Sequence, residues 1–272
     1  MIRAYVEGVG LCGPGLAGWA PSAAILAGET AYVPAEAALP VIQLLPANER
    51  RRAPKTAILA LAVGSAACAD AGRDPASLAA IFTSSGGDGG TIHDILNVLA
   101  APARELSPTK FHNSVHNAAA GYWGIATGAT SASTSLCAHD GSFAAGLLEA
   151  AAQLAAVQPV VLIAYDVPYP APLNMTRPIA AMFGLALVIS PHPTTASFAR
   201  LEIALQPGFA APTAAPPGLE TLRQSIPAAR SLPLLAALAG SKVLHVTLDF
   251  LPGLGLQVHV LRRPATGWQE AA

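Results

Sequence analysis

Between Leu78 and Tyr165 the chain passes twice through a short apolar strand, a turn and a helical stretch, and this alternation constrains its fold more than any other feature. Leu78 to Thr83 is strand-like and ends at the loop Ser84-Ser85-Gly86-Gly87-Asp88-Gly89-Gly90, after which Thr91 to about Ala100 has helical character. The second round comprises a Ser107-Pro108 turn, a small-residue helix over 117–127, a strand over 130–136, an alanine-rich helix from Gly141 to about Val157, and a strand over 160–165. Strands alternating with helices predict an α/β layered fold with a buried central sheet.

The flanking segments fit the same class. Residues 4–9 read as a strand, broken by Gly8, Gly10, Gly13, Pro14 and Gly15. After Pro54 the clearest helix of the chain runs through Ala57–Val63 to Asp70-Ala71, with Gly72 as its stop. It is apolar almost all round, which predicts burial on most faces. Strands are expected over 183–189 and 198–205, close enough in sequence to pair antiparallel. Residues 206–218, rich in proline, glycine and alanine, read as a linker, and 219–239 as one or two short helices. Two strands, 243–250 and 254–261, would form a hairpin around Pro252-Gly253. The expected organisation is a main domain over 1–205, the linker, and a short αβ tail over 219–272 packing on the same core.

Hydrophobic residues make up 53% of the 272 and charged residues only 11%, against about 25% in ordinary globular proteins. A folded surface of roughly 11,000 Å² would carry about one charge per 350 Å², which suits a protein covered by another. A GC-rich genome would bias the composition in the same direction. The net charge of −1 and the lack of a basic run beyond Arg50-Arg51-Arg52 argue against nucleic acid as a partner. Charges within the apolar start, Arg3 and Glu7, do not match a signal peptide, so a cytoplasmic location is expected. The strongest apolar run, 178–190, is too short to span a membrane.

Candidate chemistry is sparse. The loop at 84–91 lacks both the Lys-Ser/Thr ending of a phosphate loop and the GxGxxG spacing of a dinucleotide site. Its glycines fit tight turns or close backbone approach. His112 and His116 have metal-ligand spacing without a glutamate or a third ligand between them, and no cofactor or metal is expected. A plainer reading has Asn113, Ser114 and Asn117 bonding to nearby backbone. Cys12, Cys68 and Cys137 form neither a disulfide framework nor a CxxC pair. Cys137 stands out because it ends a strand, precedes Ala138-His139-Asp140 and lies just before a helix, the layout of a nucleophile elbow. Free cysteine is also a common inert core filler, and that reading stays open.

At this point the residues resemble the β-ketoacyl synthases. The segment from Glu49 through Pro54 and Lys55 to Ala62, continuing to Ala69-Asp70-Ala71-Gly72-Arg73-Asp74-Pro75, resembles that family's first long helix. Ser107-Pro108 with Phe111–Gly121, and Gly128–Gly146, resemble its Ser-Pro and strand-elbow-helix segments, and Ser84–Gly90 falls in the expected order. The resemblance spans about residues 2–205. It implies a thiolase-like layered αβαβα core, here truncated relative to a full ketosynthase. Gly141 and Gly146 match the family's helix glycines without a gap, which places Ala138 at the nucleophile position and Cys137 one residue early. A one-residue shift in a strand turns a side chain to the other face. The His-Gly-Thr phrase of the family's second half is absent, and His245 and His259 lie on predicted strands.

What the resemblance implies is a non-catalytic, chain-length-factor-like subunit that pairs with a full-length β-ketoacyl synthase, as in aryl polyene and related fatty-acid-like pathways, meeting acyl carrier protein through that partner. Its dimer interface would be Thr130, Ser131, Ala132, Ser133, Thr134, Ser135 and Leu136. Phe111, His112, Ser114, His116, Asn117, Tyr122 and Trp123 would line the partner's acyl tunnel. The rival readings are a small acyltransferase or thioesterase that uses Cys137 with His139, and a homodimeric scaffold protein.

Overall fold

The computed structural model describes residues 1–156, 158–208, 212–240, 244–264 and 267–268. Its centre is one eight-stranded mixed sheet. In chain order the strands are β1 (Ile2–Cys12), β2 (Ala79–Thr83), β3 (Ser133–Leu136), β4 (Val160–Asp166), β5 (Phe183–Ser190), β6 (Ala199–Pro207), β7 (Leu244–Leu251) and β8 (Leu254–Arg262). Across the sheet they lie β3-β2-β4-β5-β1-β6-β8-β7, with β2 parallel to β3 and β4 and every other neighbouring pair antiparallel.

Helices cover both faces. The principal ones are α1 (Trp19–Leu26), α2 (Ala47–Arg52), α3 (Lys55–Asp70), α4 (Gly89–Ala100), α5 (Pro108–Asn113), α6 (Ala118–Thr127), α7 (Ser142–Gln153), α8 (Leu173–Thr176), α9 (Glu220–Ser225) and α10 (Leu232–Ala239). Side chains of α3 and α6 form the core on one face, and those of α1, α7 and α10 form it on the other. Strands β4 and β5 are buried along their whole length, as the unbroken apolar runs require. This is the thiolase-like core in truncated form: the second half contributes β6, β7 and β8, which extend the one sheet. The β7–β8 hairpin turns at Pro252-Gly253, where Gly253 takes φ +76°.

Helix α3 lies directly on β1. A Cβ on Gly10 would sit 1.9 Å from the carbonyl oxygen of Val63, and one on Gly8 would sit 2.4 Å from that of Ala67. The glycines that seem to break the strand therefore belong to it. Between them and Val6, where the register shifts, Glu7 is buried and bonds to Arg73 (2.8 and 2.9 Å) and to the Thr194 hydroxyl.

Three expectations need correction. The strands expected to pair with each other, β5 and β6, are separated by β1, which has 11 residues and pairs with both. Their connection crosses the middle of β1, where Phe198 donates its N–H to the Val6 carbonyl. The strand expected over 130–136 is shorter, because pairing with β2 involves only Ser133–Leu136. The expected linker is not free: β6 runs to Pro207, Thr213 exchanges hydrogen bonds with Thr247 of β7, and Ala215 donates to Glu220. Residues 209–211 of that linker, Val157 and the start of the strand expected at 243 lie outside the described residues. Among the described residues no helix is long and apolar enough to cross a membrane.

Candidate functional site

The elbow forms where β3 ends at the carboxyl edge of the sheet. Cys137 and Ala138 lead into a 3-10 turn over His139–Gly141, and α7 begins at Ser142. His139 has φ +51°, an uncommon conformation for a non-glycine residue, so the turn is tight. Ser142 holds it from beneath: its hydroxyl donates to the His139 carbonyl at 2.7 Å and accepts the Ala138 N–H at 3.0 Å. Both helix glycines serve close approach. A Cβ on Gly141 would lie 2.0 Å from the carbonyl oxygen of Phe250 on β7, and one on Gly146 would meet Thr83 and Leu162.

The adjacent residues Cys137 and Ala138 have different surroundings. The Cys137 thiol turns to the glycine loop and donates to the Ser85 carbonyl at 3.0 Å. Ala138 lines an open cavity of about 560 Å³ together with His139, Asp140, Gly141, Arg230, Asp249 and Phe250–Pro252. Of the other cysteines, burial raises the Cys12 thiol, while burial and then Asp74 push Cys68 up to about 12, so neither is a ready nucleophile.

The loop over 84–90 is packed from within. The Tyr169 ring occupies the space that a Cβ on Gly86 or Gly89 would need, and His116 lies against Gly87. Beneath it Asp166, fully buried at the end of β4, accepts from the Ser85 N–H (2.9 Å), the Ser85 and Ser84 hydroxyls (2.8 and 3.3 Å) and the Ala228 N–H (2.9 Å). Burial pushes its carboxyl up to about 6, with those donors pulling back. Beside the elbow, burial alone would raise Asp140, but Arg177 (2.6 Å) and Arg230 (3.0 Å) hold it below the usual carboxylate range. Arg230 also reaches Asp249 at 2.7 Å and so ties the elbow to β7.

Tyr169, Asp166, Arg177, Arg230 and Asp249 carried no local sequence signal, because each meets the elbow or its loop from a distant strand, turn or helix. His245 and His259 stack on each other, centroids 4.1 Å apart, with His259 3.3 Å from Glu202. His245 is five positions along β7 from Phe250, roughly 16 Å from the strand's contact with Gly141. Neither is brought to the elbow. Among the described residues no three His, Cys, Asp or Glu side chains gather as a metal-binding group.

The segment expected to reach a partner divides in two. Phe111 is 62% exposed, His112 and Asn117 are exposed, and Ser114 donates to the Phe111 carbonyl. Asn113 instead donates across the fold to the Arg52 carbonyl. Tyr122 and Trp123 are each 2% exposed. Tyr122 donates to Asn113, and Trp123 packs edge-on to Phe82 and against Gly64. These two belong to the core beneath α3 and open on no surface, a correction that follows from α6 turning its aromatic face inward. Helix α4 does the opposite: only Gly89 is buried, and Ile92, Leu96 and Leu99 face outward.

The sheet order, the strand-elbow-helix and the reduced second half together define a protein of the thiolase-like, ketosynthase class. The chain belongs to the family described as β-ketoacyl synthase, N-terminal domain, whose profile matches residues 25–242. Among solved structures it is similar to a chain of "Ketosynthase (ApeO) in Complex with its Chain Length Factor (ApeC)" from Xenorhabdus doucetiae, at 21% identity and TM-score 0.72, covering 96% of this chain and 100% of that one. It is also similar to a chain of the ishigamide ketosynthase/chain length factor, at 15% identity and TM-score 0.69, covering 95% and 99%. A third is a chain of AntDE:AntF, a type II acyl-carrier protein in complex with its ketosynthase, at 10% identity and TM-score 0.71, covering 95% and 99%. A comparison with curated protein sequences returned no match.

Proposed function

We propose that this chain is a non-catalytic, chain-length-factor-like subunit that pairs in the cytoplasm with a full-length β-ketoacyl synthase of a fatty-acid-like or polyene pathway. The observation that carries this reading is the elbow: Ala138, at the position where the resemblance puts a nucleophile, opens on the cavity with no second-half histidine beside it. A methyl group cannot be acylated, and among the described residues no pair of imidazoles stands at the elbow to stabilise a developing enolate.

The two sheet edges support a partner on one side. Thr213 covers the middle of β7, whereas β3 has β2 on one side and no strand among the described residues on the other. An open strand edge and exposed apolar side chains are both surfaces that proteins normally cover. Phe111, Val115, Ile92, Leu96 and Leu99 are such side chains. On this reading β3 joins the partner's sheet, Phe111 reaches its acyl tunnel, and acyl carrier protein is met through the synthase. Co-expression with a full-length β-ketoacyl synthase from the same source tests the pairing: a heterodimer on size-exclusion chromatography is expected, and a homodimer that ignores the synthase would overturn the reading. Phe111→Ala should lengthen or blur the product range of the heterodimer, and an unchanged profile removes the tunnel role.

One observation favours a second reading, in which Cys137 accepts an acyl group: its residue is exposed at the elbow. Intact-mass measurement after incubation with acyl carrier protein thioesters decides. A stoichiometric adduct lost in Cys137→Ser supports acylation.

A further inference from the structure

A second cavity contains none of the elbow residues. It measures about 690 Å³ and is lined by Pro14 after β1, Val167 and Pro168 after β4, Ala180–Met182 before β5, residues 36–39, and Lys55 at the start of α3. This places it at the carboxyl ends of β1 and β4, the end of an α/β sheet at which ligands bind, and within the roughly 300–1,000 Å³ usual for small-molecule sites. We propose that it binds an amphiphile, an aliphatic chain whose carboxylate head also carries an N–H or O–H donor.

The argument starts from how the wall is built. Residues 27–46 have no regular structure, yet they are tied down along their length. The Tyr32 hydroxyl donates to the Pro14 carbonyl at 3.0 Å, the Cys12 thiol meets the Ala38 carbonyl at 3.8 Å, and Ile42 and Leu45 are buried in the core beneath α3. A strap pinned at four points holds a cavity open without collapsing into it. Its cost in chain entropy is met by contacts on either side of the cavity.

The lining chemistry then selects the ligand. Leu39, Val167, Pro168, Ala181 and Met182 give an apolar body. The two charged residues, Lys55 and Glu36, make no ion pair among the described residues. Lys55 is the first residue of a 16-residue helix with no acidic side chain in its first turn and no side-chain cap, and its ammonium favours an anion at that rim, while the Asp88 carboxylate, which accepts from the Thr56 hydroxyl at 2.9 Å, already faces the helix dipole. Glu36 disfavours a second negative charge and accepts a hydrogen bond, which calls for a donor beside the carboxylate.

N-decanoylglycine, with one amide N–H and one carboxylate on an aliphatic chain, is the probe. Titration calorimetry on the full chain, alone and in complex with its synthase, should show one saturable site. Lys55→Glu should weaken it at least tenfold, and decylamine, with the same chain and the opposite charge, should not bind. Met182→Trp should fill the cavity and abolish binding; Leu39→Trp serves the same end should the first variant lose its fold by circular dichroism. The absence of saturable binding, equal binding of decylamine, or binding untouched by both Lys55→Glu and the tryptophan variant would overturn the proposal. Pairing with the synthase is measured separately and does not depend on this cavity, so failure here leaves that reading standing.

Discussion

Asp166 accepts both the backbone N–H of Ser85, at 2.9 Å, and its hydroxyl, at 2.8 Å, so the end of β4 and the glycine loop are joined through one buried carboxylate. The same side chain takes the N–H of Ala228 and thereby fastens the second half to the first.

That carboxyl gives a pH signature. Burial raises it to about 6 in the folded protein from an ordinary value of 3.8. A raised pKa favours the fold where the group is protonated: the contribution is fully present below about pH 4 and is lost as pH rises through about 6. A shift of about two units corresponds to about 3 kcal/mol. Asp166→Asn cannot ionise and should lack this dependence. The measurement is the difference in urea stability between wild type and variant from pH 4 to pH 7.5, and a flat difference would show that Asp166 does not titrate there.

Arg73 is the partner of buried Glu7. Removing one member of a buried pair leaves an uncompensated charge, so Arg73→Ala should cost about 3 kcal/mol. The double variant Glu7→Gln with Arg73→Met should recover part of that loss in chemical denaturation. Equal destabilisation of the two would mean that the charge is not the cause.

Two glycines should fail for different reasons. Gly10→Ala forces a methyl group onto the Val63 carbonyl, a backbone atom that moves only with α3, and should cost about 3 kcal/mol. Gly72→Ala meets nothing within 4 Å, but its φ of +63° is left-handed, and the cost should be about 1 kcal/mol. Thermal unfolding should rank them in that order.

The open edge makes a local prediction. Ala132 and Leu136 direct their carbonyls to the N–H groups of Ala80 on β2 and Ser84 just after it, so the alternate residues Ser133 and Ser135 turn their backbone groups outward. Ser133→Pro removes an outward donor and leaves the β2 ladder intact. Co-purification of the synthase should be lost while the melting temperature of the chain stays within a few degrees. Retained co-purification would place the partner elsewhere.

Much of the fold was legible because its signals are local. Apolar runs gave β4 and β5, the Ala-rich stretches gave α3 and α7, and Pro252-Gly253 gave the hairpin. The pairing of β5 and β6 was misread because sequence proximity carries no information on a third strand, β1, lying between them. Tyr122 and Trp123 were misassigned because the inward turn of α6 is set by the space beside Gly64 and Phe82, which only packing reveals.

The sequence by itself determined the class, the order of the elements and the residues of the elbow, since these follow from periodicity and motif order along the chain. Tertiary structure alone decided what those residues meet. It turned Cys137 to the Ser85 carbonyl and Ala138 to a cavity, filled the glycine loop with Tyr169, and brought Arg230 from the second half to Asp140 and Asp249. The physical reason is that hydrogen bonds, ion pairs and close contacts act between residues near in space, and Asp140 and Arg230 are 90 positions apart in sequence.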